Sequence, residues 1–211
     1  MLIDLHMHTK RHSWDSLLDV HDLIDRARQT GLDGVCLTEH DIFWDPDEVR
    51  ALGKQHDFLV IPGVEINTDD GHFLCFGLQA YVFGMHRTKD LAAHVIAAGG
   101  AMVAAHPYRR NLPPPSTGDS EYARALDATS KRHAWTFCAA MERVNGRGNE
   151  RENAFSAQII DTIAIPAVAG SDSHQWTDIG RCATDFDARI ENVTDLIAAL
   201  KSGAYRPVTL R

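Results

Sequence analysis

Apolar, β-branched segments alternate with amphipathic helical ones along almost the whole chain, and that alternation restricts the folds open to it. Strand patterns fall at "LIDLHMH" (2–8), "DGVCLTEH" (33–40), "FLVIPGVEIN" (58–67), "GHFLCFGL" (71–78), "AMVAAHP" (101–107), "AAMERVNGR" (139–147) and "PAVAGSDSH" (166–174). Helical patterns over 20–31, 45–56, 89–100, 149–163 and 192–203 stand between or after them. Six or seven such strands with helical crossovers predict parallel βαβ units, in a doubly wound sheet or a closed barrel. No GxGxxG or GxxxxGK loop follows any strand, which weighs against a nucleotide-binding doubly wound sheet. The stretch "YRRNLPPPSTGDSEY" holds three consecutive prolines, so 108–120 is expected to be a long surface loop. A length of 211 residues suits a single domain over 1–211 with a sizeable core.

The strands share a second feature: they end in residues that bind metals. In "HMH", His6 and His8 point to the same face of their strand, because successive side chains alternate. His40 closes "LTEH", Glu65 lies in "PGVEIN", His72 flanks the next strand, His106 closes "VAAHP", and "GSDSH" carries Asp172 and His174. In barrels of parallel strands the C-terminal strand ends form one rim, and sites are built there. Burying a histidine or carboxylate at a strand end is costly unless something satisfies it, and one shared metal site would satisfy all of these. The other histidines, His21, His56, His86, His94 and His133, are expected to be surface or capping residues. Cys36, Cys75, Cys138 and Cys182 form no CxxC, so neither a disulfide scaffold nor a thiolate zinc site is expected.

Charge narrows the partners. With 21 Lys+Arg against 29 Asp+Glu the net charge is −8, unsuited to a long nucleic acid or an anionic membrane. No apolar run approaches a membrane span and no charged-then-apolar leader opens the sequence, so a cytoplasmic location is expected.

Taken in order, "DLHMHT", "TEHD", "GVEI", "AHP" and "GSDSH" resemble the motifs of the polymerase and histidinol phosphatase (PHP) superfamily, over roughly residues 2–185. The resemblance implies a distorted seven-stranded (β/α)7 TIM-like barrel with a di- or trinuclear metal centre. It also implies phosphoester hydrolysis, as on histidinol phosphate, nucleotides or nucleic-acid ends. It assigns His6, His8, Glu65 and Asp172 to a first ion. Glu65 would bridge to a second, completed by His72 and His106, and Asp15, His40 and His174 would hold a third. Asp15 comes from "SWDS", similar to the family's S-x-D-S segment, with His12 as the neighbouring alternative. "MERVNGRGN" also resembles a family segment and puts Asn145 and Arg147 at the pocket.

Imidazoles and carboxylates without thiolate suit two to three ions of zinc, manganese or iron. About three protein ligands per ion leave open positions, as catalytic sites require. Three divalent ions outweigh the charges of Asp15, Glu65 and Asp172, so the pocket is positive and calls for a small anionic phosphorylated substrate. The implied reaction is attack by a metal-activated hydroxide. Arg109, Arg147 and Arg181 are candidates to grip phosphate, with Arg110 a weaker one. Asp41, beside His40, could orient a ligand or relay a proton, and Asp41 and His174 are both candidates to protonate the leaving oxygen. Trp14, Trp44 and Trp176 flank the ligand loops and either wall the pocket or pack beneath it. The alternatives are hydrolysis of a carbon–nitrogen or ester bond, or a non-catalytic metal-binding module. A decayed site would have lost ligands, whereas all nine positions are filled, which favours an enzyme.

Overall fold

The computed structural model describes residues 1–211. Strands β1 (Leu2–Met7), β2 (Gly34–Leu37) and β3 (Leu59–Pro62) run parallel, joined by helices α1 (Val20–Gln29) and α2 (Pro46–His56). A hairpin of β4 (Val64–Thr68) and β5 (Gly71–Phe76) leads through α3 (Thr88–Ala97) to β6 (Ala101–Ala104), which is antiparallel to β5. Then α4 (Asp119–Ser130), β7 (Ala140–Asn145), α5 (Glu150–Ile163) and β8 (Ala167–Gly170) restore the parallel pattern. The chain ends with β9 (Cys182–Phe186), α6 (Val193–Ser202) and β10 (Tyr205–Thr209).

The helices start where the sequence supplies caps. Asp19, Asp45 and Asn192 accept backbone N–H bonds at the starts of α1, α2 and α6, and Asn149 with Glu152 forms a capping box on α5. Each such cap contributes about 1 kcal/mol. α1 buries Leu23, Ile24 and Ala27 and α2 buries Val49 and Leu52, both against the outer face of the first sheet. α5 buries Phe155, Ile159 and Ile160 against the outer face of the second.

The strands form two five-stranded mixed sheets, ordered β10-β9-β1-β2-β3 and β4-β5-β6-β7-β8. A closed (β/α)7 TIM-like barrel was the expectation, and the sheets do not close into one. In a barrel β8 would pair along the whole of β1. Here β9 takes that edge, with Leu2 opposite Asp185 and Ile3 opposite Thr184, and only a single bridge joins Met7 to Ser173. The other seam falls at Gly63, where the expected single strand 58–67 breaks into β3 and β4; one bridge, His40 to Glu65, spans it. A Cβ on Gly63 would come within 2.8 Å of the Phe76 ring, so the break is packed too tightly for a side chain.

The inner faces nevertheless share a core. Ile3, Leu5, Cys36 and Ile61 from the first sheet meet Leu74, Phe76, Val103, Ala140 and Val168 from the second. Leu196, Ala199 and Leu200 of α6 close that core at the end where β1, β6 and β7 begin. The opposite end, where the parallel strands finish, is left for polar residues. The expected loop 108–120 ends inside α4, which begins at Asp119 and buries only Thr129 completely. No helix is long and apolar enough to cross a membrane.

Candidate metal centre

The polar strand ends meet at that open end. His6 lies in β1 and His8 just after it, His40 follows β2, Glu65 lies in β4, His72 in β5, His106 follows β6, and Asp172 and His174 follow β8. Glu65 is the hub. Its Oε1 is 2.8 Å from His72 Nδ1 and 2.8 Å from His106 Nε2. Its Oε2 is 2.8 Å from His40 Nδ1 and 3.4 Å from the Nε2 atoms of both His6 and His8. Asp172 Oδ1 lies 3.6 Å from His6 Nε2, 3.5 Å from His8 Nε2 and 3.4 Å from His174 Nδ1. Asp15 stands at the outer side, with Oδ2 3.2 Å from His174 Nε2 and 3.5 Å from His40 Nε2.

Four clusters have the geometry to hold an ion: His6–Glu65–His106, His40–Glu65–His72, His6–His8–Asp172 and His8–His40–His174. Eight of the nine expected ligands belong to them, and Asp15 is the one outside. The grouping divides differently from the sequence expectation, because His40 sits with Glu65 and His72 as well as with His174. His12 joins none of them; its ring packs edge-on against Trp44.

Hydrogen bonds on the far ring nitrogens aim the imidazoles inward. His6 Nδ1 donates to Glu142 Oε1 at 2.8 Å, which turns Nε2 toward the centre. Ser13 donates its hydroxyl proton to Glu39 and so accepts from His8 Nδ1 at 3.1 Å, which fixes the same tautomer there. His174 Nδ1 donates to the Asp172 carbonyl at 2.8 Å. Such outer partners set ring orientation and basicity in metal sites.

Burial and charge set the protonation states. Burial pushes the His8 pKa down to about 4, leaving a neutral imidazole. Burial alone would raise the Glu65 carboxyl, but His6, His106 and His40 hold it well below the usual carboxylate range. Asp172 is also held low against its burial, chiefly by His6 and His8. For His6 burial acts downward, and Asp172, Glu142 and Glu65 overcome it and raise the pKa.

A metal fits these residues on a direct observation. Nine buried side-chain N or O atoms lack a hydrogen-bond partner, and six belong to this centre: His6 Nε2, His8 Nε2, Asp15 Oδ1, Glu65 Oε2, Asp172 Oδ1 and His174 Nε2. Unpaired buried polar atoms are expensive and rare, so six together mark a place built to face ions. Backbone strain concentrates there too. Of six non-glycine residues at positive φ, Asp57 and Ala164 cap helices, while Asp41 (φ 56°), His106 (27°), Arg110 (66°) and Asp172 (53°) lie in the loops around the centre. At Gly170 a Cβ would lie 2.6 Å from His6 Cβ and 2.7 Å from Glu142 Oε1, so only glycine lets β8 approach β1 here.

The remaining expected residues divide. Arg109 Nη2 donates to Asp172 Oδ2 at 3.0 Å, and Arg147 Nη1 lies 3.0 Å from His174 Nδ1, so both guanidiniums border the centre. Asn145 is buried and donates to Glu142 and Asp172, supporting ligands from behind. Arg181 is occupied by the carbonyls of Thr177 and Gly146 and by Asp178, and so ties loops together. Exposed Asp41 accepts from the Asn67 N–H at 3.1 Å and hydrogen-bonds to no ligand histidine. Trp44 is buried and donates to Glu39, whereas Trp14 is 92% exposed and Trp176 47%.

Sequence reasoning missed the buried carboxylates behind the ligands. Glu39 accepts from Thr9, Ser13 and Trp44; Glu142 accepts from His6, the His106 N–H and Asn145. Asp178 accepts from the His174 and Gln175 N–H groups. Glu39 and Glu142 lay inside the quoted motifs "TEHD" and "MERVN", and their place beside a ligand was the available signal.

Comparison with known proteins follows the same residues. The PHP domain family matches residues 4–138, well over half of the chain, and the PHP-associated family matches 150–205. An uncharacterised protein of Methanocaldococcus jannaschii is 26% identical over 51% of this chain and 68% of its own length. PsfC from Pseudomonas syringae PB-5123 superposes with a TM-score of 0.63 at 20% identity, covering 99% of this chain and 91% of its own. A histidinol phosphate phosphatase from Lactococcus lactis, solved with zinc, L-histidinol and phosphate, gives 0.53 at 15% identity over 84% and 89%. The two structural likenesses are of fold. The match over 4–138 spans the seven candidate positions from His6 to His106 and leaves out Asp172 and His174, and with it the chain belongs to the PHP domain family and is a hydrolase.

Proposed function

We propose that the chain is a metal-dependent phosphoesterase acting on a small phosphorylated metabolite or nucleotide. The six buried atoms of the centre without hydrogen-bond partners carry the reading, because they call for several cations in one pocket. His6, His8, Glu65 and Asp172 would hold one ion, Glu65, His72 and His106 a second, and His40, His174 and Asp15 a third. Ions bound there would supply an activated water and would neutralise charge on the phosphoryl oxygens.

The chain's own groups do the rest. Glu65, with one oxygen toward His72 and His106 and the other toward His6, His8 and His40, is suited to bridge two ions. Arg109 and Arg147 stand where they can grip the phosphoryl group and hold it in line. Asp41 and His174 are the two candidates to pass a proton to the leaving oxygen; Asp41 already accepts the Asn67 N–H, and His174 would do so only where it does not hold the third ion. The test is a screen of phosphomonoesters and diesters with zinc-, manganese- and iron-loaded protein, in which inorganic phosphate release is expected. Failure on every ester would reject the reading.

Small substrates are favoured by charge and shape. The net charge is −8, and the cleft beside the centre has a volume of about 480 Å³, within the range of small-molecule pockets. A nuclease that tracks a strand needs a basic groove and shows steep salt dependence. We therefore expect higher kcat/KM on a mononucleotide or sugar phosphate than on a single-stranded oligomer, with KM little moved by salt. Preference for the oligomer that collapses at higher salt would make the protein a nuclease instead.

A further inference from the structure

The cleft beside the centre is lined by four guanidiniums: Arg109, Arg110, Arg147 and Arg151. Many arginines elsewhere hold a carboxylate close by: Arg50 to Asp47 at 2.6 Å, Arg87 to Asp90 at 2.6 Å, Arg143 to Asp161 at 2.7 Å. In the cleft only Arg109 has such a partner, Asp172. The others meet no carboxylate: Arg110 lies 3.2 Å from the Asn67 side-chain oxygen, Arg147 3.0 Å from the His174 ring, and Arg151 2.8 Å from the Pro113 carbonyl. The single acid of the lining, Glu152, is turned to the Asn149 N–H at 2.8 Å in the capping box. An acidic protein thus gathers four cations in one concavity and gives three of them no counter-charge.

The four are not equivalent. Arg109 and Arg147 touch Asp172 and His174 and belong to the reacting end. Arg151 is fixed at the far wall, stacked 5.4 Å over the Tyr122 ring and bonded to the proline segment that closes the cleft at Pro113, Pro114 and Pro115. Arg110 is held at positive φ on the loop between the two ends. Planar guanidinium forks match carboxylate and phosphate oxygens, and prolines fix the wall that carries one of them.

We infer that this cleft is a second anion subsite, so that the substrate carries a further phosphate or carboxylate, held by Arg151 and Arg110, away from the bond that is broken. The inference rests on the phosphoesterase reading for its reacting end. It would make Arg110 and Arg151 determinants of specificity, with no part in the chemical step.

The test uses α,ω-alkanediol bisphosphates of two to six carbons against the corresponding monophosphates, with ω-phosphooxy carboxylates as a third series. At the best chain length the two-anion series is expected to exceed the monophosphate in kcat/KM about tenfold or more, as charge-assisted bonds allow. Whichever second group gives the higher ratio identifies the anion. In Arg151→Met, which keeps apolar contact with Tyr122, and separately in Arg110→Met, that ratio should fall toward one, with Arg151→Lys restoring part of it. Calorimetric titration of the metal-free protein with each bisphosphate supplies a readout independent of turnover, and the Kd of the tightest should weaken about tenfold in the two methionine variants. A ratio near one at every length, or a ratio and Kd unchanged in both variants, would overturn the inference. If no ester is hydrolysed at all, the phosphoesterase reading fails and the calorimetric comparison decides the subsite alone.

Discussion

Glu65→Gln is expected to lose about a hundredfold or more in kcat/KM, above the range typical of a partner lying behind a ligand, and to lower metal occupancy at two sites together. The reason is the division of labour between its oxygens. Oε1 faces His72 and His106 while Oε2 faces His6, His8 and His40, so one carboxylate touches two of the four metal-capable clusters. An amide keeps the shape and loses both the charge and one acceptor. His174→Ala provides the contrast: its ring meets Asp15 and the His8–His40 pair, so chiefly the outermost ion should be lost. Metal content and turnover are measured on variants first shown to fold, since metal binding and folding are linked. Full metal content with full turnover in Glu65→Gln would remove it as the bridge.

Chelation is expected to lower the melting temperature by roughly 8–16 °C. Ligand that binds only the folded state stabilises by about 4 kcal/mol at a thousandfold excess over Kd. For a domain of this size each kcal/mol moves Tm by about 2–4 °C. The stripped centre keeps His6 Nε2, His8 Nε2 and Asp172 Oδ1 buried without hydrogen-bond partners, which is why the apo form should be the weaker one. Scanning calorimetry before and after dialysis against chelator, with metal added back, measures it. A Tm unmoved by chelator in a protein shown to have released its ions would contradict the assignment of these atoms to metal.

Most of the metal-capable residues were legible because they stand at or near strand ends, whereas Asp15, in the loop after β1, came only from the family resemblance. The two-residue period puts His6 and His8 on one face, and strand–helix alternation brings His40, His106, Asp172 and His174 to one end. The residues behind them were not. Glu39 and Glu142 read as ordinary charged residues until the fold turns them onto Ser13 and His6. Asp41 and Arg181 looked like site residues by adjacency, yet local hydrogen bonds to Asn67 and to the Thr177 and Gly146 carbonyls engage them. The open seam between the sheets was also illegible. It depends on β9 capturing the edge of β1, and β9 pairs with β10, whose "YRPVT" contains a proline suited only to an edge strand. α4 escaped notice because its helical pattern buries so little.

Elemental analysis of the folded chain, saturated with zinc, manganese or iron and freed of excess ion, tests most directly that the strand ends form a multinuclear metal centre. Circular dichroism on the same sample establishes that it is folded. Two to three divalent ions per chain are expected, from nine candidate ligands at about three per ion. Fewer than one ion per chain in the folded protein would contradict the centre and the hydrolytic function built on it.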